Sequence, residues 1–85
     1  MDYEKIYGCL AQVLELECNE IINLSIDAKL SEKGLDSLHF IQMIILLEET
    51  FDIEINDSDL LISNFETIEK IFKTLKKYEV YNEYE

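Results

Sequence analysis

Ser37 is the residue whose type and setting most directly offer chemistry, because a serine hydroxyl can act as a nucleophile or as an attachment point. It lies in the stretch GLDSL at 34–38, directly before a hydrophobic run that continues to Phe51. A nucleophilic serine needs a base within hydrogen-bond reach. The only histidine is His39, two positions further along a predicted helix, where side chains do not face one another. We therefore expect no catalytic residue and no enzyme.

Two interpretations of Ser37 remain open from the residues alone. Serine is a good helix N-cap, but Asp36 is an equally good one. If Asp36 is the cap, the Ser37 hydroxyl stays free in the first turn, where backbone N–H groups and partial positive charge suit a phosphate. Ser37 is thus either a redundant cap or a hydroxyl offered to another enzyme for phosphate chemistry.

Metal chemistry finds no support in the spacing of possible ligands. The stretch DIEINDSDLLIS at 52–63 begins like a calcium loop. It then places Asp57 where the sharp turn needs glycine, and Ser63 where a bidentate glutamate is needed. Cys9 and Cys18 have no histidine near them and form neither a disulfide framework nor a metal-ligand pattern. We expect two reduced thiols and no metal site.

Composition and charge limit the class of partner. The chain has 85 residues, enough for one small domain, and 19 acidic side chains against 7 basic ones, for a net charge of −12. Nucleic acid and anionic membranes require clustered lysine and arginine, so neither is an expected partner. A partner with a basic surface is favoured. The start MDYEKIYG is not a signal peptide, and no run approaches a membrane span, so we expect a soluble cytoplasmic protein.

Hydrophobic spacing and turn-forming residues predict an all-α fold, a small four-helix bundle of three longer helices and one short helix. The predicted helices are 3–16, 37–51, the short 57–62, and a last helix that ends near Tyr78. Residues 17–36 are expected to form a long ordered loop between the first two helices. Asp2 is the predicted N-cap of the first helix, and Ser63 with Glu66 a capping box for the last. Residues 79–85 are expected to be a frayed tail.

The second predicted helix carries more hydrophobic surface than a bundle helix needs. One of its two hydrophobic stripes is expected to face the core and the other to form an exposed patch of Leu38, Ile41 and Ile45. The alternative is a central helix covered on all sides. Nine acidic residues and no lysine lie between positions 34 and 69. A hydrophobic patch beside such an acidic field is typical of a docking surface for a basic partner.

Three stretches together resemble the 4′-phosphopantetheine site of stand-alone acyl and peptidyl carrier proteins. These are GLDSL at the start of the hydrophobic helix, LEETFD at its end (47–52), and NFETIEKI at 64–71. The resemblance covers roughly residues 3 to 77. It implies a single carrier domain over residues 1–78, a monomer, that performs no catalysis.

The resemblance also implies a cofactor and a set of partners. Ser37 would carry 4′-phosphopantetheine from coenzyme A, attached by a phosphopantetheinyl transferase, and Asp36 would belong to the attachment motif. The arm would hold an acyl or aminoacyl group as a thioester. The other implied partners are an acyl- or amino-acid-activating enzyme and downstream condensing or transferring enzymes. The positions with which such carriers meet these partners are Leu38, Ile41, Ile45, Glu48 and Glu49, and Ile62 is expected to add to them.

Two positions depart from the pattern of carriers that serve fatty-acid synthesis. His39 and Gln42 stand where acidic residues are usual. This favours a dedicated carrier in a specialised biosynthetic pathway. The competing hypothesis is an acidic, non-covalent adaptor that docks a basic partner through the same patch.

Overall fold

The computed structural model describes residues 3–82, except for the side chains of Cys18 and of residues 79–82. Four α-helices follow one another along this part of the chain: α1 (Tyr3–Leu14), α2 (Cys18–Ile22), α3 (Ser37–Phe51) and α4 (Ile68–Asn82). Three short 3-10 turns lie between them, at Leu30–Lys33, Asp57–Asp59 and Ile62–Asn64. No strand occurs in the range described. The predicted all-α fold with three longer helices and one short helix is confirmed.

One hydrophobic core joins the four α-helices and the first 3-10 turn. α1 and α3 run antiparallel: Lys5 near the start of α1 lies over the ring of Phe51 at the end of α3. The Tyr3 ring of α1 stacks on Phe72 of α4, with 4.3 Å between centroids. The fully or almost fully buried side chains come from every helix and from the loops: Ile6, Leu10, Ile21, Leu30, Met43, Leu47, Phe65, Ile68, Ile71 and Leu75.

The short helix lies elsewhere than predicted. α1 ends at Leu14 rather than 16, because Glu15 adopts a left-handed backbone conformation with φ of 56°. α2 then forms inside the predicted loop and buries Ile21. The predicted short helix at 57–62 is instead a pair of 3-10 turns. Both segments, 18–22 and 57–64, are too short to show a hydrophobic period, so the sequence does not reveal which of them forms the short α-helix. The predicted Asp2 cap lies outside the described residues.

The predicted capping box of Ser63 and Glu66 is wrong. α4 begins later, at Ile68, and the Thr67 hydroxyl caps it by accepting a hydrogen bond from the Lys70 N–H at 3.1 Å. The loop before α3 explains the later start, because the Glu66 carbonyl accepts the Leu30 N–H at 2.8 Å and is not part of the helix ladder. The Glu66 carboxylate pairs with the Lys70 ammonium.

α4 also continues to Asn82, beyond the predicted end near Tyr78. The last part of the predicted tail, residues 83–85, lies outside the described residues. The domain boundary at residue 78 stays a prediction.

Candidate functional site

The start of α3 is fixed by a left-handed glycine followed by a buried leucine. Gly34 has φ of 107°, which a side chain would strain, and its N–H closes the preceding 3-10 turn on the Leu30 carbonyl. Leu35 is buried and donates its N–H to the same carbonyl at 3.1 Å. These two hydrogen bonds fix the direction in which the backbone enters the N-cap of α3.

Asp36 is that N-cap. Its backbone is extended, and its carboxylate accepts the His39 N–H at 2.9 Å. Its carbonyl accepts the Phe40 N–H at 2.8 Å and so begins the helix ladder. Backbone and side-chain hydrogen bonds from His39 hold the pKa of the Asp36 carboxyl below its usual range.

Ser37 is therefore left free in the first turn of α3. It is exposed, and its hydroxyl forms no hydrogen bond with any residue that the structure describes. Asp36 performs the capping, so the Ser37 hydroxyl is not the cap of α3. A reachable hydroxyl at a helix N-terminus fits a phosphodiester, because the helix end favours the negative charge of the phosphate.

His39 does not serve Ser37 as a base. Its Nδ1 lies 2.7 Å from the same Asp36 Oδ1 that caps the helix, so the imidazole ring is turned towards the Asp36 carboxylate. A hydrogen bond between His39 and Ser37 is absent from the described part of the chain. His39 is therefore not placed to activate the Ser37 hydroxyl as a base.

The hydrophobic residues predicted for docking lie on the exposed face of α3. Leu38 is 62% exposed, Ile41 57% and Ile45 52%. The other stripe faces inward, with Met43, Ile44 and Leu47 buried. α3 is thus not a central helix covered on all sides.

The two predicted acidic docking residues have different environments. Glu48 is half-buried, and its carboxylate accepts the Ile55 N–H at 2.9 Å. Glu49 is exposed and lines an open cleft of about 320 Å³ between α1 and α3. Gln42 and Ile45 line the same cleft from α3, opposite Gln12 of α1. The Glu49 carboxylate is thus exposed to solvent, whereas the Glu48 carboxylate is engaged by the backbone of the following segment.

Ile62, predicted to join the docking surface, is 55% exposed, and so is its neighbour Leu61, which sequence analysis missed. The segment that carries them contacts α3 near its two ends. Near one end the Ile55 N–H bonds Glu48, and near the other the Phe65 ring meets Phe40 edge-on at 5.6 Å. Leu61 left no signal in the sequence because a chain of short 3-10 turns has no hydrophobic period.

Among the side chains that the structure describes, no group of three or more His, Cys, Asp or Glu residues could hold a metal ion. None of the helices described is long and hydrophobic enough to cross a membrane. Cys9 is a free thiol; it is buried and lies 3.4 Å from the Thr50 hydroxyl, and burial raises its pKa.

Comparison with known proteins places this geometry in a family. The family model for a phosphopantetheine attachment site matches residues 4–75. The acyl carrier protein of Onion yellows phytoplasma (strain OY-M) is 36% identical over 72 residues, covering 84% of this chain and 88% of the relative. That of Buchnera aphidicola subsp. Baizongia pistaciae (strain Bp) is 35% identical over 75 residues, covering 88% and 91%. No solved structure matches the chain significantly.

These matches define cofactor and partners at the level of the family. Its members are carriers rather than enzymes, and their cofactor is covalently attached 4′-phosphopantetheine. They interact with a phosphopantetheinyl transferase and with enzymes that handle acyl groups. With a family model that spans most of its length and relatives above one third identity, this chain belongs to the acyl carrier protein family of phosphopantetheine-bearing carriers.

Proposed function

We propose that Ser37 is the attachment point of the 4′-phosphopantetheine arm and that Asp36 supports the attachment by capping α3. The observation that carries this proposal is the Ser37 hydroxyl, exposed and without a hydrogen bond to any described residue, while Asp36 makes the cap contact. A transferase can reach such an oxygen without unfolding the helix start.

The chemistry at Ser37 is a phosphoryl-type transfer carried out by the transferase. The Ser37 oxygen attacks the phosphorus of coenzyme A that bears the pantetheine, and the bond from that phosphorus to the nucleotide part breaks. The serine loses its proton and the nucleotide bisphosphate leaves. The arm then ends in a thiol that holds an acyl or aminoacyl group as a thioester.

The exposed face of α3 is the proposed docking surface for the transferase and for the enzymes that load and unload the arm. Leu38, Ile41 and Ile45 supply its hydrophobic part, Glu49 its exposed acidic part, and Ile62 extends it along the flank of α3. Glu48 contributes mainly by holding the neighbouring segment. Partners with a hydrophobic centre and flanking lysine or arginine side chains fit this surface.

The proposed cellular role is a dedicated carrier in a specialised cytoplasmic pathway rather than in fatty-acid synthesis. His39 is engaged with Asp36, and Gln42 lines the α1–α3 cleft as a neutral amide, so the first half of the docking helix presents little negative charge. An enzyme that recognises acidic side chains at these two positions would find neither. The proposed carrier domain, residues 1–78, acts as a monomer.

Intact mass spectrometry tests the attachment site. The apo protein, incubated with coenzyme A and a purified phosphopantetheinyl transferase, should gain the mass of one phosphopantetheine. Ser37→Ala should gain nothing. Ser31→Ala, which alters another exposed serine ahead of α3, should be modified like the wild type. Modification of Ser37→Ala, or no modification of the wild type by any transferase, would exclude the proposal.

The non-covalent adaptor is the second candidate, favoured by the exposed hydrophobic face of α3 and the acidic surroundings. An adaptor would bind its basic partner equally well with Ser37→Ala and would take up no arm. The same mass measurement, combined with a binding titration of both forms against one purified partner, separates the two functions.

A further inference from the structure

The segment between Ile55 and Phe65 is not held in place by hydrophobic burial of its own. Ile55 and Phe65 at its two ends are buried, but neither 3-10 turn between them buries a side chain. Leu60 is half-buried, and the next two residues are exposed. This segment carries the exposed side chains of Leu61 and Ile62. Its conformation therefore determines where these two hydrophobic side chains lie relative to α3.

Polar contacts to α4 replace the missing burial. The Tyr78 hydroxyl donates to the Asp59 carboxylate at 2.5 Å and accepts the Asn56 N–H at 3.0 Å. Lys77 adds an ion pair to the other Asp59 oxygen at 2.8 Å. One tyrosine oxygen thus fixes the segment both before and within its first 3-10 turn.

The second 3-10 turn is attached to the same anchor. The Asn64 side chain donates to the Asp59 carbonyl at 3.0 Å, and the Asn64 carbonyl accepts the Thr74 hydroxyl of α4 at 3.2 Å. Leu61 and Ile62 therefore lie between Asp59 and Asn64, two residues that are both bonded to α4. Loss of the Tyr78 hydroxyl would remove its bonds to Asp59 and Asn56 and leave the Lys77 ion pair to hold Asp59.

We propose that Tyr78, acting through Asp59, is a positioning residue for partner docking: it holds Leu61 and Ile62 as the second edge of the surface that the phosphopantetheinyl transferase contacts. This inference rests on the proposed function, since it assumes that the transferase docks on α3 to reach Ser37. The transferase approaches across the α3 face, and the segment contacts α3 near both of its ends. Tyr78 itself lies on α4 and contacts the segment rather than the transferase.

The test compares two tyrosine-to-phenylalanine variants in steady-state loading by a purified transferase with coenzyme A. Tyr78→Phe removes only the hydroxyl that bonds Asp59 and Asn56. Tyr7→Phe is the matched control, because its ring also packs against the core and its hydroxyl bonds no described residue. Tyr78→Phe should raise the KM for the carrier about fivefold with kcat unchanged. Tyr7→Phe should leave both constants unchanged.

A double-mutant cycle shows whether Tyr78 acts through the segment or through general stability. Leu61→Ala with Ile62→Ala should raise KM by itself, and adding Tyr78→Phe to that background should have no further effect. A variant that merely loosened the fold would add its effect in both backgrounds. Asp59→Asn, which keeps the side-chain shape but loses the charge, should reproduce the KM increase and serves if Tyr78→Phe does not fold.

Three results would overturn the inference: an unchanged KM for both Tyr78→Phe and Asp59→Asn, equal effects with and without Leu61 and Ile62, or a wild-type KM for the double alanine variant. The failure of the proposed function looks different, because the wild type would then take up no arm at all. Under the inference, Tyr78→Phe is still loaded completely at saturating carrier concentration.

Discussion

At the scale of single residues, the site depends on which of two neighbours caps α3. Asp36 and Ser37 are both suited to that task, and either choice gives a helix that starts at nearly the same place. The Asp36 carboxylate takes the His39 N–H, and the Ser37 hydroxyl therefore remains available. The motif thus contains two polar residues in different states: Asp36 caps the helix, and the Ser37 hydroxyl bonds no described residue.

Removing the cap should affect loading through Ser37. In Asp36→Ala the Ser37 hydroxyl becomes the nearest acceptor for an uncapped N–H of the first turn, so we expect loading by a transferase to slow severalfold. Asp36→Asn keeps a capping oxygen and should lose less. The initial rate of arm uptake measures both. Loading of Asp36→Ala at the wild-type rate would contradict this division of roles.

The two neutral positions of the docking helix should control which enzymes accept the carrier. Replacing both, His39→Glu and Gln42→Glu, should raise kcat/KM with an acyl-transferring enzyme of fatty-acid synthesis about fivefold, because two exposed ion pairs of about 0.5 kcal/mol each add up to about 1 kcal/mol. The control is Glu20→Gln, an exposed acid on α2. A wild-type carrier already used as well as the double variant would argue against a specialised role.

At this scale sequence analysis was accurate where helical spacing decided which side chains are exposed. For Ser37 it left two interpretations open, because Asp36 and Ser37 are equally suited to cap a helix, and only the structure shows that Asp36 makes the cap contact. Leu38, Ile41 and Ile45 were placed on one face by helical period, and they lie exposed there. Glu48 could not be predicted in the same way, because its bond to Ile55 depends on a loop whose course has no sequence period.

At the scale of elements, α3 has a distinct role on each of its sides. Its inner stripe is core, its outer face is exposed, and one flank receives the segment between α3 and α4 through the bond from Ile55 to Glu48. The helix ends at Phe51, and Asp52 after it takes a left-handed conformation and turns the chain into that segment. The exposed hydrophobic face and the loop anchor are therefore parts of one helix.

Neighbouring glutamates should differ in their effect on stability. Glu48→Ala removes a carboxylate acceptor from the half-buried Ile55 N–H contact and should lower the free energy of unfolding by about 1–2 kcal/mol. Glu49→Ala, the exposed neighbour, should change it by less than about 0.5 kcal/mol. Urea unfolding measures both values, and hydrogen exchange at the Ile55 amide should be faster only in Glu48→Ala. Equal stability of the two variants would contradict the assignment of Glu48 as an anchor.

The errors in predicting the elements have a common physical cause. α2 is too short for a period to show, and the start of α4 is set by a backbone contact, from Leu30 to Glu66, between residues far apart in sequence. Ser63 and Glu66 have the spacing of a capping box, but α4 begins at Ile68, so the Thr67 hydroxyl directly before it forms the cap. Long amphipathic helices were predictable because their buried residues recur at a regular spacing. Their ends were not, because contacts with loops distant in sequence determine where each helix starts and stops.

At the scale of the whole molecule, a net charge of −12 is distributed around a small core. Several acids are nonetheless paired. The pKa of the Asp59 carboxyl is held below its usual range by hydrogen bonds from Lys77 and Tyr78, and the pKa of Glu66 is lowered by Lys70. These pairs link the loops to α4, so the fold depends on the ionised state of carboxylates as well as on burial.

Lowering the pH should remove the contribution of Asp59 to the free energy of unfolding. A carboxyl whose folded-state pKa is lowered adds stability above its unfolded pKa of about 3.9, and this contribution is lost as the pH falls through the folded value. The stability advantage of the wild type over Asp59→Asn should therefore stay constant between about pH 7 and 5 and shrink below about pH 4. Urea unfolding across this pH range measures it. An advantage that grows on acidification would contradict the assigned pairing.

The most direct test of the account is to locate the arm on protein purified from its native host. Trypsin cleavage after Lys33 and Lys70 gives one peptide that contains Ser37 together with Ser58 and Ser63. Fragment-ion mass spectrometry of that peptide should place a phosphopantetheine on Ser37 and leave the other two serines unmodified. A peptide that carries the arm on Ser58 or Ser63, or that never carries it, would contradict the central claim.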